Sequence, residues 1–144
     1  MAAVVFPDDG KQMTYFCTAC WEEIDKHRAV CPHCGGNQQE LGGEPFVQKL
    51  IRALRHPEPE TATRAARILG QLKAVDAIRE LEAIMTTHFD PYIAAECARA
   101  VGEIGDPRII KALQELLRQP VPLVVRYAAL EALEKLRNAQ PRYE

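Results

Sequence analysis

The chain has 144 residues and a formal net charge of -2, with 47% hydrophobic and 26% charged residues. This balance is typical of globular proteins, and the weak net charge gives no reason to expect nucleic acid or an anionic membrane as a partner. No apolar run reaches the about eighteen residues of a membrane span, and the first residues lack the basic segment of a signal peptide, so we expect a cytoplasmic protein without membrane contact.

Charge is divided unevenly along the chain. Residues 1–44 contain three Lys and Arg against seven Asp and Glu, whereas residues 45–144 contain fifteen against thirteen. Such a shift in composition favours a domain boundary. We predict four segments, which are a cysteine module at 1–36, a linker at 37–44, a helical domain at 45–138 and a tail at 139–144.

Four of the five cysteines lie in the stretch CTACWEEIDKHRAVCPHCGG, residues 17–36. They form two pairs with two residues inside each pair, namely Cys17, Cys20, Cys31 and Cys34. With this spacing, the two cysteines of a pair can bind the same ion from one tight turn. Both pairs together complete a tetrahedral shell of four sulfurs around a single ion. Four thiolates leave no open position on the ion, so the sequence predicts a structural site.

The cysteine module resembles a zinc ribbon of the type in which CxxC is closely followed by CPxCG, over about residues 13–36. The resemblance implies Zn²⁺ as the cofactor. Short apolar stretches precede the two pairs, at Tyr15-Phe16 and Ala29-Val30, and are interpreted as strand ends. Iron, redox activity and two disulfides are the alternatives. His27 and His33 are expected to stay out of the ligand set, and Trp21 is expected to pack within the protein.

The next segment, GGNQQELGGE at residues 35–44, contains four glycines and no apolar period. This composition is typical of a flexible connector.

The remainder of the chain repeats itself every 32 residues. The segments TRAARILGQL, AECARAVGEI and YAALEALEKL begin at residues 63, 95 and 127, and their apolar residues follow helical spacing. A second apolar helical pattern precedes each segment. We predict three helix pairs, at about 45–55 with 60–72, 75–87 with 91–104, and 107–118 with 123–138.

Turn residues mark several of these helix ends. Asp90-Pro91 and Asp106-Pro107 each place a capping carboxylate before a proline at the first helical position, and Gly105 stands where a helix should end. Gly70 and Gly102 fall inside helices, which costs about 1 kcal/mol each relative to alanine and predicts close helix packing. Cys97 aligns with two alanines, so we expect a small core residue there.

The segment AVGEIGDPRIIKALQELL resembles the short bacterial HEAT-like repeats, also called PBS-lyase HEAT-like repeats, and the likeness covers about residues 45–138. Tetratricopeptide repeats have a similar period, but their Trp/Gly/Tyr/Pro pattern is missing. The predicted fold is therefore mainly α, a short α-solenoid of three HEAT-like helix pairs preceded by a small β zinc ribbon. The resemblance implies a scaffold that binds proteins, and some members belong to bilin lyase subunits.

The second helices of the pairs carry rows of polar residues that could face a partner. The candidates for partner binding are Arg67, Arg99, Glu103, Tyr127 and Glu131. Mixed signs along these rows favour a protein over a phosphate backbone, which needs a consistently basic stripe. A merely solvated helix face is the alternative.

No nucleophile–base pair and no phosphate-binding loop stands out, and His56 and His88 are interpreted as ordinary turn residues. We therefore predict a non-enzymatic adaptor with a structural zinc site, bound to a protein partner or larger complex, with no small-molecule substrate evident. One alternative is a nucleic-acid- or ribosome-associated protein acting through the ribbon, which the acidic charge of residues 1–44 disfavours. The other is a non-catalytic subunit of an enzyme complex such as a bilin lyase.

Overall fold

The structure is a computed structural model that describes residues 15–25, 28–38, 44–87 and 90–139. The described chain is mainly helical, with a two-stranded sheet near its start. The predicted fold class, a short α-solenoid preceded by a small β module, is confirmed. None of the described helices combines the length and the apolar composition needed to cross a membrane.

The cysteine module contains one short antiparallel pair of strands. Strand β1 is Tyr15–Phe16 and strand β2 is Glu23–Ile24, with Tyr15 opposite Ile24. The predicted strand at Tyr15-Phe16 is thus confirmed, whereas Val30 makes only an isolated bridge with Asn37. Strand β2 was not predicted, because two residues between charged neighbours give no alternating pattern.

Six α-helices follow in the described chain, and they form the three predicted pairs. They are α1 (Phe46–Ala53), α2 (Pro59–Gln71), α3 (Ile78–Thr87), α4 (Pro91–Ile104), α5 (Ile110–Arg118) and α6 (Leu123–Ala139). Short 3-10 turns at Val75–Ala77 and Pro107–Ile109 lead into α3 and α5. The inner helices α2, α4 and α6 pack side by side, and the outer helices α1, α3 and α5 each pack against the inner helix that follows.

The predicted helix boundaries have the expected local chemistry. The Asp90 carboxylate accepts a hydrogen bond from the backbone N–H of Tyr92 at 2.8 Å, and Asp106 accepts one from Arg108 at 3.0 Å. Gly105 ends α4 in the left-handed region with φ 79°. Lys73, 32 residues earlier, adopts φ 51° at the same point of the first pair, without the freedom of glycine.

Small residues let the inner helices approach each other closely. A Cβ added at Gly102 would lie 2.7 Å from Ala132 Cα, and one added at Gly70 would lie 3.0 Å from Ala100 Cα. Both glycines face the next inner helix, so the predicted reason for their presence, close packing, is confirmed. Cys97 is fully buried in the same core, also as predicted.

Candidate metal centre and inner-helix face

The structure brings the four predicted ligand sulfurs into one cluster. All four Sγ atoms lie within 4.8 Å of one another. The distance from Cys17 Sγ to Cys34 Sγ is 3.6 Å, and from Cys20 Sγ to Cys31 Sγ it is 3.7 Å. These distances are too long for disulfides, whose S–S bond is about 2.05 Å, so the two-disulfide alternative does not fit.

Backbone N–H groups point at the sulfurs, as the tight turns predict. Ala19 donates to Cys17 Sγ at 3.3 Å, His33 to Cys31 Sγ at 3.4 Å and Gly36 to Cys34 Sγ at 3.4 Å. Such donors stabilise thiolate charge, which is the form of cysteine that binds metals.

Gln38 adds a contact that the sequence did not indicate. Its side-chain Nε2 donates to Cys17 Sγ at 3.2 Å, and its backbone N–H donates to the Ala29 carbonyl at 2.8 Å. Gln38 was assigned to the linker because a glutamine among glycines carries no signal of its own. Together with the Val30–Asn37 bridge, these bonds tie the start of the predicted linker to the cysteine module.

The thiols of the cluster differ in acidity. Burial acts to raise the pKa of Cys17, but the N–H groups of Cys20 and Ala19 and the Gln38 amide lower it to about 6. The N–H of Glu22 acts to lower the pKa of Cys20, yet burial and the neighbouring sulfurs raise it to about 12. Four sulfurs this close cannot all hold negative charge without a cation between them, because like charges at this distance repel strongly.

The cluster fits a metal ion held by four thiolates. A tetrahedral site with Zn–S bonds of about 2.3 Å places the sulfurs roughly 3.8 Å apart, close to the 3.6 and 3.7 Å seen here. The four cysteines can therefore bind a metal ion, and its identity is not set by this geometry. His33 is exposed, as predicted, and His27 lies outside the described residues.

The cysteine module contacts the first helix pair through Trp21. The indole Nε1–H donates to the Arg52 carbonyl at the end of α1 at 2.6 Å. The indole ring also packs on the imidazole of His56, with ring centroids 4.5 Å apart, and Phe16 meets the same imidazole at 5.9 Å. Arg52 forms an ion pair with Glu44 as well. Trp21 thus packs within the protein, as predicted, and His56 is part of this junction.

Four of the five predicted partner-binding residues meet in a network of ion pairs across the inner helices. Glu96 contacts Arg67 at 3.3 Å and Arg99 at 3.5 Å. Arg99 then reaches Glu131 at 3.9 Å, and Lys135 contacts Glu131 at 3.7 Å. Lys135 also pairs with Glu103 of α4.

The sequence analysis did not identify Glu96 as a functional residue. The residues 32 positions before and after it are Arg64 and Ala128, so the repeat contains no acidic row at this position. Its side chain is only 13% exposed because the two arginines cover it. Lys135 belongs to the same polar row as Glu103, so the repeat period could have identified it. Tyr127, the fifth predicted residue, lies one turn before Glu131 and is 65% exposed.

Known proteins resemble this chain over more than half of its length. The chain is 30% identical over 103 residues to deoxyhypusine hydroxylase of Danio rerio, a match that covers 69% of this chain and 34% of the relative. The structure of human deoxyhypusine hydroxylase in complex with glycerol superposes with a TM-score of 0.61 at 29% identity, covering 67% of this chain and 33% of that one. The chain therefore spans about a third of the length of these relatives.

A more distant neighbour is epoxyqueuosine reductase, solved with a tRNA-Tyr epoxyqueuosine-modified tRNA stem loop. It superposes with a TM-score of 0.57 at 20% identity, covering 80% of this chain and 33% of that one. At this identity the likeness shows a shared fold alone.

These relatives correct the functional prediction. The predicted non-enzymatic adaptor or scaffold is wrong, because the curated relatives are named as enzymes. The expectation of no small-molecule substrate is contradicted by the same names. The error has a physical source, since helical periodicity reports which residues pack in a core and carries no information on chemistry at the surface.

The sequence repeat, the stacked helix pairs and a family model together identify the family of the helical part. The three helix pairs repeat every 32 residues, and their inner helices stack in a row. The family model for HEAT repeats matches residues 47–134, which is most of the helical region. The chain belongs to the HEAT-repeat family.

Proposed function

We propose that this chain takes part in an enzymatic modification of a protein, and that the exposed face of its inner helices binds the side chain to be modified. The observation that carries the proposal is the 30% identity over 103 residues to a deoxyhypusine hydroxylase. Because the chain spans about a third of that enzyme, the reaction and the substrate are both part of the proposal.

The charges on the inner helices support binding of an amine. The deoxyhypusine side chain carries amino groups that are cationic at neutral pH, and carboxylates form strong hydrogen bonds with such groups. The Glu131 side chain is 52% exposed, and its pairs with Arg99 and Lys135 are long, at 3.9 and 3.7 Å. Its carboxylate therefore keeps capacity to accept further hydrogen bonds, and Tyr127 one turn away offers an apolar ring to methylene groups.

We also propose that the remaining predicted residues, Arg67, Arg99 and Glu103, line the protein-binding surface around Glu131. Their mutual ion pairs hold the side chains in place before binding, which reduces the entropy lost when a partner docks.

We propose Zn²⁺ as the ion of the four cysteines Cys17, Cys20, Cys31 and Cys34, in a structural role. The sulfur separations, the N–H donors at the sulfurs and the absence of a histidine from this four-residue group support a closed thiolate shell. Such an ion has no free position for substrate, so it would fix the module that holds Trp21 against α1. Metal analysis should find one zinc per chain, and stoichiometric iron would contradict the assignment.

Among the residues that the structure describes, no second group of three or more His, Cys, Asp and Glu lies close enough to share an ion. In the proposed reaction this chain therefore supplies substrate binding. The group that attacks the substrate would come from residues outside the described ranges or from an associated subunit.

Binding is tested with two labelled peptides that differ only in carrying deoxyhypusine or lysine, using fluorescence polarisation. We expect tighter binding of the deoxyhypusine peptide and a loss of about tenfold in Glu131→Gln, the scale of one charged hydrogen bond. Glu115→Gln is the matched control, because Glu115 is similarly exposed, is paired with Arg118 and lies on the outer helix α5. Equal affinity for both peptides, or equal effects of the two substitutions, would contradict the proposal.

The proposed reaction is hydroxylation by O₂, in which one oxygen atom enters the substrate and the other is reduced to water with two electrons from an added reductant. It is tested by mass spectrometry of the same peptide after aerobic incubation with the metal-loaded chain, the proteins that co-purify with it and a chemical reductant. A gain of one oxygen atom that disappears when the chain is left out supports hydroxylation. Tight binding without a gain of oxygen would support substrate binding by this chain and refute hydroxylation as the reaction.

A further inference from the structure

The two inner interfaces of the solenoid are built in the same way. One side of α2 and one side of α4 carry small residues and face the next inner helix. These residues are Ala62, Ala66 and Gly70 on α2, and Ala94, Ala98 and Gly102 on α4. All six are buried. Gly70 and Gly102 approach the following inner helix closely, which allows one pair to stack on the next.

The third inner helix carries different residues at the equivalent positions. Adding 32 to Ala94, Ala98 and Gly102 gives Arg126, Leu130 and Glu134 on α6. Since α6 is the last inner helix of the described chain, no described helix covers this side. Leu130 is 48% exposed, and Leu123 beside it is 66% exposed.

This surface, which we call the end face, does not suit another close-packed repeat. Arginine, leucine and glutamate are too large for the Cβ approach that the glycines and alanines permit. Yet the end face is not polar throughout, because Leu123 and Leu130 are exposed on it. These two leucines form an apolar patch that suits contact with another protein surface.

The order of charges on the end face is self-complementary. Arg126 lies four residues before Leu130, and Glu134 lies four residues after it, so the three residues form one row along α6. Neither Arg126 nor Glu134 forms an ion pair with another described residue. If a second α6 packs antiparallel about a two-fold axis at Leu130, each Arg126 meets Glu134 of the partner subunit and the two leucines meet at the axis.

We propose that the end face binds a second copy of this chain, forming a two-fold symmetric dimer through antiparallel α6 helices. A two-fold interface uses the same patch on both subunits, which the order of Arg126, Leu130 and Glu134 satisfies. At the other end of the array, Trp21 and His56 of the cysteine-module junction pack at the turn that follows α1. One helix per subunit gives an interface below the standard size of about 800 Å² per partner, so we expect a dissociation constant in the micromolar range.

The full chain, loaded with metal, is tested by analytical ultracentrifugation over a wide concentration range. We expect a reversible monomer–dimer equilibrium. Leu130→Glu should raise the dissociation constant at least tenfold, because it places two like charges at the axis. Val75→Glu is the control, since Val75 is 50% exposed but lies in the 3-10 turn before α3, and it should leave the equilibrium unchanged.

Charge exchange tests the antiparallel geometry itself. Arg126→Glu and Glu134→Arg should each weaken self-association, because each places like charges opposite one another. An equimolar mixture of these two variants should form a heterodimer about as stable as the original dimer, since both contacts are then complementary. Circular dichroism of each variant verifies folding.

A chain that stays monomeric at all concentrations would overturn the proposal. A dimer that ignores Leu130→Glu, or single charge variants that do not pair when mixed, would overturn it as well. The mixing result does not depend on Leu130, so it decides the case even if Leu130→Glu fails to fold.

Discussion

The close packing of α4 on α6 predicts that Gly102→Ala destabilises the protein, although alanine is the better helix former. A Cβ at residue 102 would stand 2.7 Å from the Cα and 2.8 Å from the Cβ of Ala132. Ordinary contact begins at 3.4 Å, so α6 must retreat by about 0.7 Å to accommodate the methyl group. The first of these atoms is backbone and cannot rotate away.

The change in the free energy of unfolding that we expect for Gly102→Ala has two opposing contributions. Replacing a glycine inside a helix by alanine gains about 1 kcal/mol of helix propensity. Inserting a methyl group into a packed core costs about 1–3 kcal/mol, and a gap of 0.5–1 Å along a helix interface loses roughly a quarter to a half of each contact's dispersion energy. We therefore expect Gly102→Ala to lower the free energy of unfolding by about 1 kcal/mol.

Gly70→Ala is the matched control within the same chain. Its Cβ would lie 3.0 Å from Ala100 Cα and 3.3 Å from Ala100 Cβ, which requires a shift of about 0.4 Å. The gain in propensity, about 1 kcal/mol, should then nearly cancel the packing cost. Gly105→Ala is a second control, because it meets nothing closer than 3.9 Å and loses stability through its left-handed backbone, by about 1–2 kcal/mol.

The assay is urea denaturation followed by circular dichroism of the helices, with the midpoint compared at constant slope. The expected order of stability is original chain and Gly70→Ala together, then Gly102→Ala. If Gly102→Ala proves as stable as Gly70→Ala, then the inner helices do not approach each other as closely as described, and the packing explanation for these glycines fails.

Three further outcomes are expected. Chelation of an ion bound by the four cysteines should red-shift the fluorescence of Trp21, the single tryptophan, because the cysteine module holds its indole on α1. An unshifted spectrum would mean that the junction does not depend on the cluster. Trp21→Phe removes the hydrogen bond to the Arg52 carbonyl and should lower the free energy of unfolding by about 1 kcal/mol in thermal or urea denaturation. Arg108 holds the pKa of Asp106 below its usual 3.8. The carboxylate therefore stabilises the folded state above pH 3.8, and this contribution is lost as the pH falls through the lower pKa of the folded state. Asp106→Asn should flatten the acid side of the plot of unfolding free energy against pH, and an unchanged plot would refute this role of Asp106. Burial raises the pKa of Cys97 to about 12. In the native protein this thiol should therefore stay unreactive toward a disulfide reagent at neutral pH, even after chelation has made the four cysteines of the cluster reactive. Reaction of Cys97 as fast as those four would contradict its buried position.

Much of the fold could be predicted because its determinants are local in the sequence. The caps at Asp90 and Asp106 and the left-handed Gly105 act within one turn of chain, so residue type and spacing define them. The period of 32 residues and the helical apolar rows similarly identify the three pairs. The same holds for the cysteine cluster, since two residues between thiols set the geometry of each turn.

Other features depend on which surfaces meet, and no local pattern encodes that. Strand β2, the contact of Gln38 with Cys17 and the bond from Trp21 to Arg52 each join segments whose types and spacing carry no signal. Glu96 became the centre of the ion-pair network because two arginines from different repeats reach it. The similarity to deoxyhypusine hydroxylase is likewise spread over 103 residues, and no single motif in the chain indicates it.

The sequence by itself determined that the chain has one thiolate cluster and three helix pairs, because metal-ligand spacing and helical periodicity are short-range properties. Only the tertiary structure decided that the cluster is attached to α1, that charged rows become a connected network, and that Leu130 is left uncovered between Arg126 and Glu134. The physical reason is that these features arise from distances between residues far apart in the chain, which stacking of the inner helices sets.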